Sequence, residues 1–157
     1  MASLELQRQI EDFYAAYVET LDDGDLEKWP DFFVEDAIYK VIPRENYARN
    51  LPLATMRYES RNMLRDRVVT IQKTILHAPR YMRHMLSNIR IHKDEGGVLD
   101  VRANYLVLQT LVEQPTTVFS TGRYLDTVVR DGNGFLFKQR LVVFDSELVP
   151  NSLIYPL

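Results

Sequence analysis

Two periods of apolar and polar residues run along this chain, and the switch between them marks its organisation. From Leu99 to Val112 the pattern starts as strict alternation and ends almost wholly apolar, which reads as one long β-strand. Glu113-Gln114-Pro115 interrupts it, because proline has no N–H to offer a central strand. Two further runs follow, Thr117 to Val129 and Phe135 to Phe144. Asp131-Gly132-Asn133-Gly134 lies between them, and its Gly and Asn accept positive φ cheaply, so a tight reversal is predicted. Long strands joined by such short turns pair antiparallel with their chain neighbours. Residues 98–145 therefore predict a curved, twisted sheet around which the rest of the chain is arranged.

The N-terminal half carries the helical period instead. Leu6, Ile10, Phe13, Tyr14, Tyr17 and Leu21 recur at three- and four-residue steps and predict a first helix ending near Asp22-Asp23-Gly24. Asp25 is placed to cap a short second helix, Leu26 to Phe33, bent or shortened by Pro30, with Trp29, Phe32 and Phe33 as core. Asp36 to Ile42 reads as a strand stopped by Pro43, and the polar stretch Arg44 to Thr55 as a loop or flap. Ser60 is placed to cap a third helix through Ile75, burying Met63, Leu64, Val68, Ile71 and Ile75. If that helix extends back to Arg57, then Arg57, Arg61 and Arg65 form one stripe. Such a stripe is either a solvated face or a surface for acidic groups on a partner chain. A strand from Arg83 to His92 and a turn at Asp94-Glu95-Gly96-Gly97 lead into the sheet. The tail from Ser146 to Leu157 holds Leu148, Val149, Leu153, Ile154, Tyr155 and Leu157 without a regular period, and must pack against something. This element order predicts a cone-shaped α+β fold, three helices covering the concave face of a bent sheet, an arrangement that often leaves a pocket between them.

Composition narrows the function classes. At 157 residues, 46% hydrophobic and 11% aromatic, the chain is expected to form one domain over residues 1–157 with a substantial core. A net charge of −3 without a Lys/Arg block argues against nucleic acid as partner. No apolar run reaches membrane-spanning length, and the first residues lack the apolar segment of a signal peptide, so a cytoplasmic location is expected. The absence of cysteine excludes disulfides, thiolate nucleophiles and thiolate-bound metals. The three histidines are His77, His84 and His92. His84 and His92 share a face of their predicted strand but stand about 26 Å apart. A two-His-one-carboxylate iron site would need His77 to fold back onto His84.

A proton-transfer enzyme of this shape would need an acid or imidazole on the concave face and a hydroxyl to hold a developing oxyanion. Asp36, His84, Asp126 and Asp145 lie in or beside predicted strands, and Tyr39, Tyr105 and Tyr124 are candidate donors. An Asp36–His84 dyad is the sharpest version of this reading. The plainer one has the acids paired with Arg83, Arg102, Arg123 or Arg140 and the aromatics filling the core. No P-loop, GxGxxG or Gly-x-Ser-x-Gly motif is present.

Several segments, in order and spacing, resemble the small (β) subunits of Rieske non-haem iron aromatic ring-hydroxylating oxygenases over nearly the whole chain. They are Trp29-Pro-Asp-Phe-Phe33 followed by Tyr39, Asn62-Met-Leu-Arg-Asp-Arg67, Arg83-His84, Gly122-Arg-Tyr-Leu-Asp126, and Asp145-Ser146 before a tail ending Tyr-Pro-Leu157. Within that family, Pro43-Arg-Glu-Asn46 through Leu51-Pro-Leu53, with Asp145-Ser-Glu147 and Pro150-Asn-Ser152, looks most like the salicylate 5-hydroxylase small subunit. Terephthalate dioxygenase small subunits look more distant. The resemblance implies an NTF2-like (SnoaL-like) cone fold and no catalytic, cofactor-binding or metal residue in this chain. It also implies a large (α) subunit carrying a Rieske [2Fe-2S] cluster and a mononuclear Fe(II), an α3β3 hexamer built on a β trimer, and electrons delivered by a ferredoxin/reductase chain. Arg65, Asp66, Arg67, Arg83, Tyr124, Asp126 and Asp145 take structural or interface roles on this reading, and the tail and arginine stripe become interface candidates. Two alternatives remain. One is a stand-alone cone-fold isomerase or dehydratase using Asp36 and His84. The other is a ligand-binding scaffold.

Overall fold

Ser3 opens the first helix, its hydroxyl accepting from the Leu6 N–H at 3.1 Å. In the computed structural model, which describes residues 2–74, 78–146 and 153–157, that helix, α1, runs from Leu4 to Asp22. It buries Leu6, Ile10, Tyr14, Tyr17 and Leu21 of the predicted stripe, with Phe13 half-buried beside them. A 3₁₀ segment (Leu26–Phe32), β1 (Phe33–Pro43), α2 (Arg44–Ala48), β2 (Met56–Tyr58) and α3 (Arg61–Lys73) follow. The chain then forms β3 (Arg80–Glu95), β4 (Val98–Leu111), β5 (Thr117–Asp131) and β6 (Gly134–Phe144).

Among the described residues the strands make one six-stranded sheet in the order β2-β1-β6-β5-β4-β3. The last four pair antiparallel as neighbours, as the short turns require. β1 joins β6 in parallel, so the sheet is mixed. α1 packs against β3 and β6 and α3 against β1, and the core lies between the helices and the sheet. The fold is the expected curved α+β cone.

Five local expectations are corrected. Asp25 stands at the N-cap position of the short second helix as expected, but that helix is 3₁₀ with Pro30 within it, and the Asp25 carboxylate makes no capping bond and holds the Lys28 ammonium at 2.8 Å. Residues 44–48 form a helical turn within the stretch read as a loop. Ser60 does cap α3, accepting from the Met63 N–H at 3.2 Å, so the helix cannot reach back to Arg57, which lies in β2 and pairs with Glu59. The arginine stripe therefore does not form. Met63 is exposed rather than buried, whereas Leu64, Val68 and Ile71 are buried; Ile75 lies outside the described residues.

The fifth correction concerns the histidines. Between Ser87 and Arg90 the β3–β4 register shifts, with Asn88 at φ +54°. The irregularity reverses which residues face inward. His84 is buried before it, and His92 is exposed after it. The two do not share a face. His77 lies outside the described residues.

Candidate functional site

The cone interior is built around one charged group. Arg140 on β6 stands directly across from Asp126 on β5 in the strand register. Its Nη2 donates to Asp126 Oδ2 at 2.9 Å, and Nε lies 3.2 Å from Oδ1, with both side chains wholly buried. From α1 the Tyr14 hydroxyl donates to the same carboxylate at 2.5 Å. The guanidinium is enclosed by aromatic rings, its carbon 3.8 Å from the Tyr124 centroid, 4.2 Å from Phe137 and 4.3 Å from Tyr17. Burial pushes the Asp126 carboxyl up, against the pull of Arg140 and Tyr14. Burial alone would lower Arg140, but the charge of Asp126 and the surrounding tyrosines outweigh it and hold the guanidinium well up. An arginine in this state is an electrostatic strut between two strands and a helix.

Beside it the tail enters the core. Leu157 donates its N–H to the Tyr39 hydroxyl at 2.9 Å, and its carbonyl accepts from Tyr39 at 3.2 Å and Tyr17 at 3.3 Å. Trp29 Nε1 donates to the Tyr17 hydroxyl at 2.9 Å. Arg67 on α3 donates to the Ile154 carbonyl at 2.8 Å. Ile154 and Leu157 are buried in the core of their own chain, so these two residues of the predicted interface tail are not available to a partner. Leu148 and Val149 lie outside the described residues.

The predicted Asp36–His84 dyad does not exist. Asp36 is exposed on β1, and His84 is held by Asp22, the last residue of α1. His84 Nδ1 lies 2.6 Å from Asp22 Oδ1, and the same carboxylate also accepts the His84 backbone N–H at 3.1 Å. Asp22 had stood in the sequence only as a helix-ending residue, and 62 positions separate it from His84. Nothing local in the sequence signals the pairing.

The other candidates are scattered. Arg65 and Asp66 are exposed on α3, and Arg65 bonds Asn62 at 3.1 Å. Arg83 is exposed on β3. Asp145 is exposed after β6 and pairs with Arg44 at 3.2 Å. Tyr105 bonds Ser120 at 2.9 Å, while Tyr124 is buried with its hydroxyl unpaired. Arg44 and Asp145 together line a surface groove of about 610 Å³ with Pro43, Asn46 and Ser146. Among the described residues no group of three or more His, Asp or Glu side chains is placed to hold a metal, and no helix is long and apolar enough to cross a membrane.

Comparison with known proteins places this geometry. The family described as ring hydroxylating beta subunit matches residues 17–151. The small subunit of anthranilate 1,2-dioxygenase from Burkholderia cepacia is 36% identical over 141 residues, covering 90% of this chain and 88% of that protein. A β subunit of the terminal oxygenase component of terephthalate 1,2-dioxygenase from Comamonas is 29% identical, covering 95% and 97%. Among solved structures, the β subunit of a putative aromatic-ring-hydroxylating dioxygenase from Novosphingobium aromaticivorans superposes with a TM-score of 0.87 at 37% identity, covering 96% and 95%. A scytalone dehydratase-like protein from the same organism shares the fold alone, with a TM-score of 0.72 at 24% identity over 91% and 86% of the two chains.

Proposed function

This chain belongs to the ring hydroxylating β-subunit family, the small subunits of oxidoreductases that hydroxylate aromatic rings, and on that premise we propose that it is the non-catalytic β subunit of an oxygenase acting on an aromatic carboxylic acid. Anthranilate and terephthalate, named in the relatives, are both aromatic carboxylates. An α subunit is the partner that a small subunit implies, and the Rieske cluster and mononuclear iron of the family belong to it. No described residue of this chain is arranged to hold either.

The observation that carries the non-catalytic reading is the engaged acid of the interior. Where a pocket enzyme keeps a free acid facing substrate, Asp126 is locked by Arg140 and Tyr14, and Tyr17 and Tyr39 hold Leu157. We place the complex in the cytoplasm as an α3β3 hexamer, fed by a ferredoxin/reductase chain. Within the family we propose a salicylate 5-hydroxylase-like assignment. Its support is the Pro43-Arg-Glu-Asn46 and Asp145-Ser146 segments, which meet in one surface groove through the Arg44–Asp145 pair. Glu147 and Pro150-Asn-Ser152 lie outside the described residues.

The test is purification of the tagged chain with its α subunit, followed by turnover with salicylate, anthranilate and terephthalate. An iron–sulfur-coloured complex in equal ratio that prefers salicylate is expected. Asp36→Asn and Tyr124→Phe should each leave turnover per assembled complex within about twofold. A colourless homo-oligomer with activity of its own would overturn the proposal.

A further inference from the structure

Four side-chain atoms are buried without a hydrogen-bond partner among the described residues: Arg67 Nε, His84 Nε2, Tyr124 Oη and Arg140 Nη1. An orphaned buried polar atom in a native fold calls for an explanation. His84 differs from the other three in that its side chain, 1% exposed, also lines a cavity of about 70 Å³. Leu21, Leu26 and Met82 form its apolar wall, Asp22, Gly24 and Arg80 lie at its polar side, and Tyr155 and Pro156 of the tail line it as well.

The chemistry of the atom is set by its partner. Asp22 is an acceptor, so Nδ1 carries the ring proton, and a neutral ring then presents Nε2 as a lone pair. The second contact from the carboxylate to the His84 backbone N–H fixes the ring's position. The volume is room for about two waters. Nε2 is the one lining side-chain atom that is buried and unpaired among the described residues. A single O–H on a compact apolar body would satisfy Nε2 and cover the apolar wall together, which water cannot do. We propose that Asp22 and His84 form a binding site for the hydroxyl group of a small organic molecule, accepted by His84 Nε2 with the molecule's apolar part against Leu21, Leu26 and Met82. The site is a binding site and not a catalytic one, and it stands independently of the oxygenase assembly proposed above.

The chain's three histidines make a direct test possible. Full-length protein labelled with ¹⁵N in its histidine rings should give three ring systems, assigned with His77→Gln and His92→Gln. In the free protein His84 is expected with Nδ1 protonated and Nε2 bare. Titration with 2-propanol, which suits the cavity as it stands, or with phenol, which requires Tyr155 or Pro156 to shift, should move His84 Nε2 saturably. The exposed His92 serves as reference for general solvent effects. Phenol should bind about tenfold more tightly than benzene, the worth of one hydrogen bond. Saturation by 2-propanol alone supports the site with a rigid cap, and saturation by both supports it with a movable one. A protonated Nε2 in the free protein, or no saturable shift with either alcohol, overturns the proposal.

Discussion

Alkaline pH is expected to unfold this protein through its buried tyrosines. Tyr14, Tyr17, Tyr39, Tyr105 and Tyr124 are each 2% exposed or less. Burial is the largest influence on all five hydroxyls and holds each above the ordinary value of 10.0. Between pH 10 and the folded-state values, the unfolded chain has released these protons while the folded chain keeps them. The folded state then binds more protons, so stability falls as pH rises. The contribution is complete below pH 10 and is lost above it. Each tyrosine removes about 1.4 kcal/mol per pH unit, and five together about 7 kcal/mol. Domains are held by about 5–15 kcal/mol, so cooperative unfolding should come about one to two units above pH 10. Followed together through an alkaline titration, the part of the tyrosinate absorbance due to the five buried groups should appear in the same step in which the near-ultraviolet circular dichroism is lost. Tyr124→Phe isolates one group. Its hydroxyl has no hydrogen-bond partner, so neutral-pH stability should hold or rise by up to about 1 kcal/mol. The alkaline slope should drop by about one-fifth. Superimposable alkaline curves for the variant and the parent, or tyrosinate absorbance reaching its full value for all nine tyrosines while the dichroism persists, would refute the reasoning.

Two further substitutions test the frame of the cone. Asp126→Ala strands the Arg140 guanidinium in a wholly buried setting and should cost about 3–5 kcal/mol in urea unfolding; a loss near zero would mean that the pair is not what holds β5, β6 and α1 together. Gly122→Ala would put a Cβ 2.0 Å from the Val143 carbonyl oxygen and 2.8 Å from Phe144 Cα, both backbone atoms of the neighbouring strand. The β5–β6 pairing must then open, and a loss of about 3 kcal/mol or more, or failure to fold, is expected from thermal melts of the variant; an unchanged melting temperature would show that the two strands are less closely paired there.

Period and turn chemistry were enough for the elements whose causes are local. The three- and four-residue steps of α1 are the stripe it buries. Ser60 caps α3, and Gly132, at φ +57°, turns β5 into β6. Where local cues competed, reading by period failed. Pro30 and the aromatic run after Asp25 produce a 3₁₀ segment in place of a capped helix, and the Ser60 cap stops α3 short of Arg57. The irregularity near Asn88 changes the faces of β3, because a strand alternates with period two and one extra residue inverts everything beyond it.

The sequence by itself determined the fold class, the antiparallel order of the last four strands and the segments by which the family is recognised, because each rests on residues close together in the chain. Only the tertiary structure decided which charges meet. Arg140 is buried because β5 and β6 register it against Asp126 and α1 brings Tyr14 to the same carboxylate. His84 faces Asp22 because α1 ends against β3, and Leu157 is in the core because Tyr17 and Tyr39 converge on it from two elements. A carboxylate in the sequence has no fixed partner. Its partner is chosen by chain closure over tens of residues, and a polar group taken out of water must find one there or carry the cost of its absence.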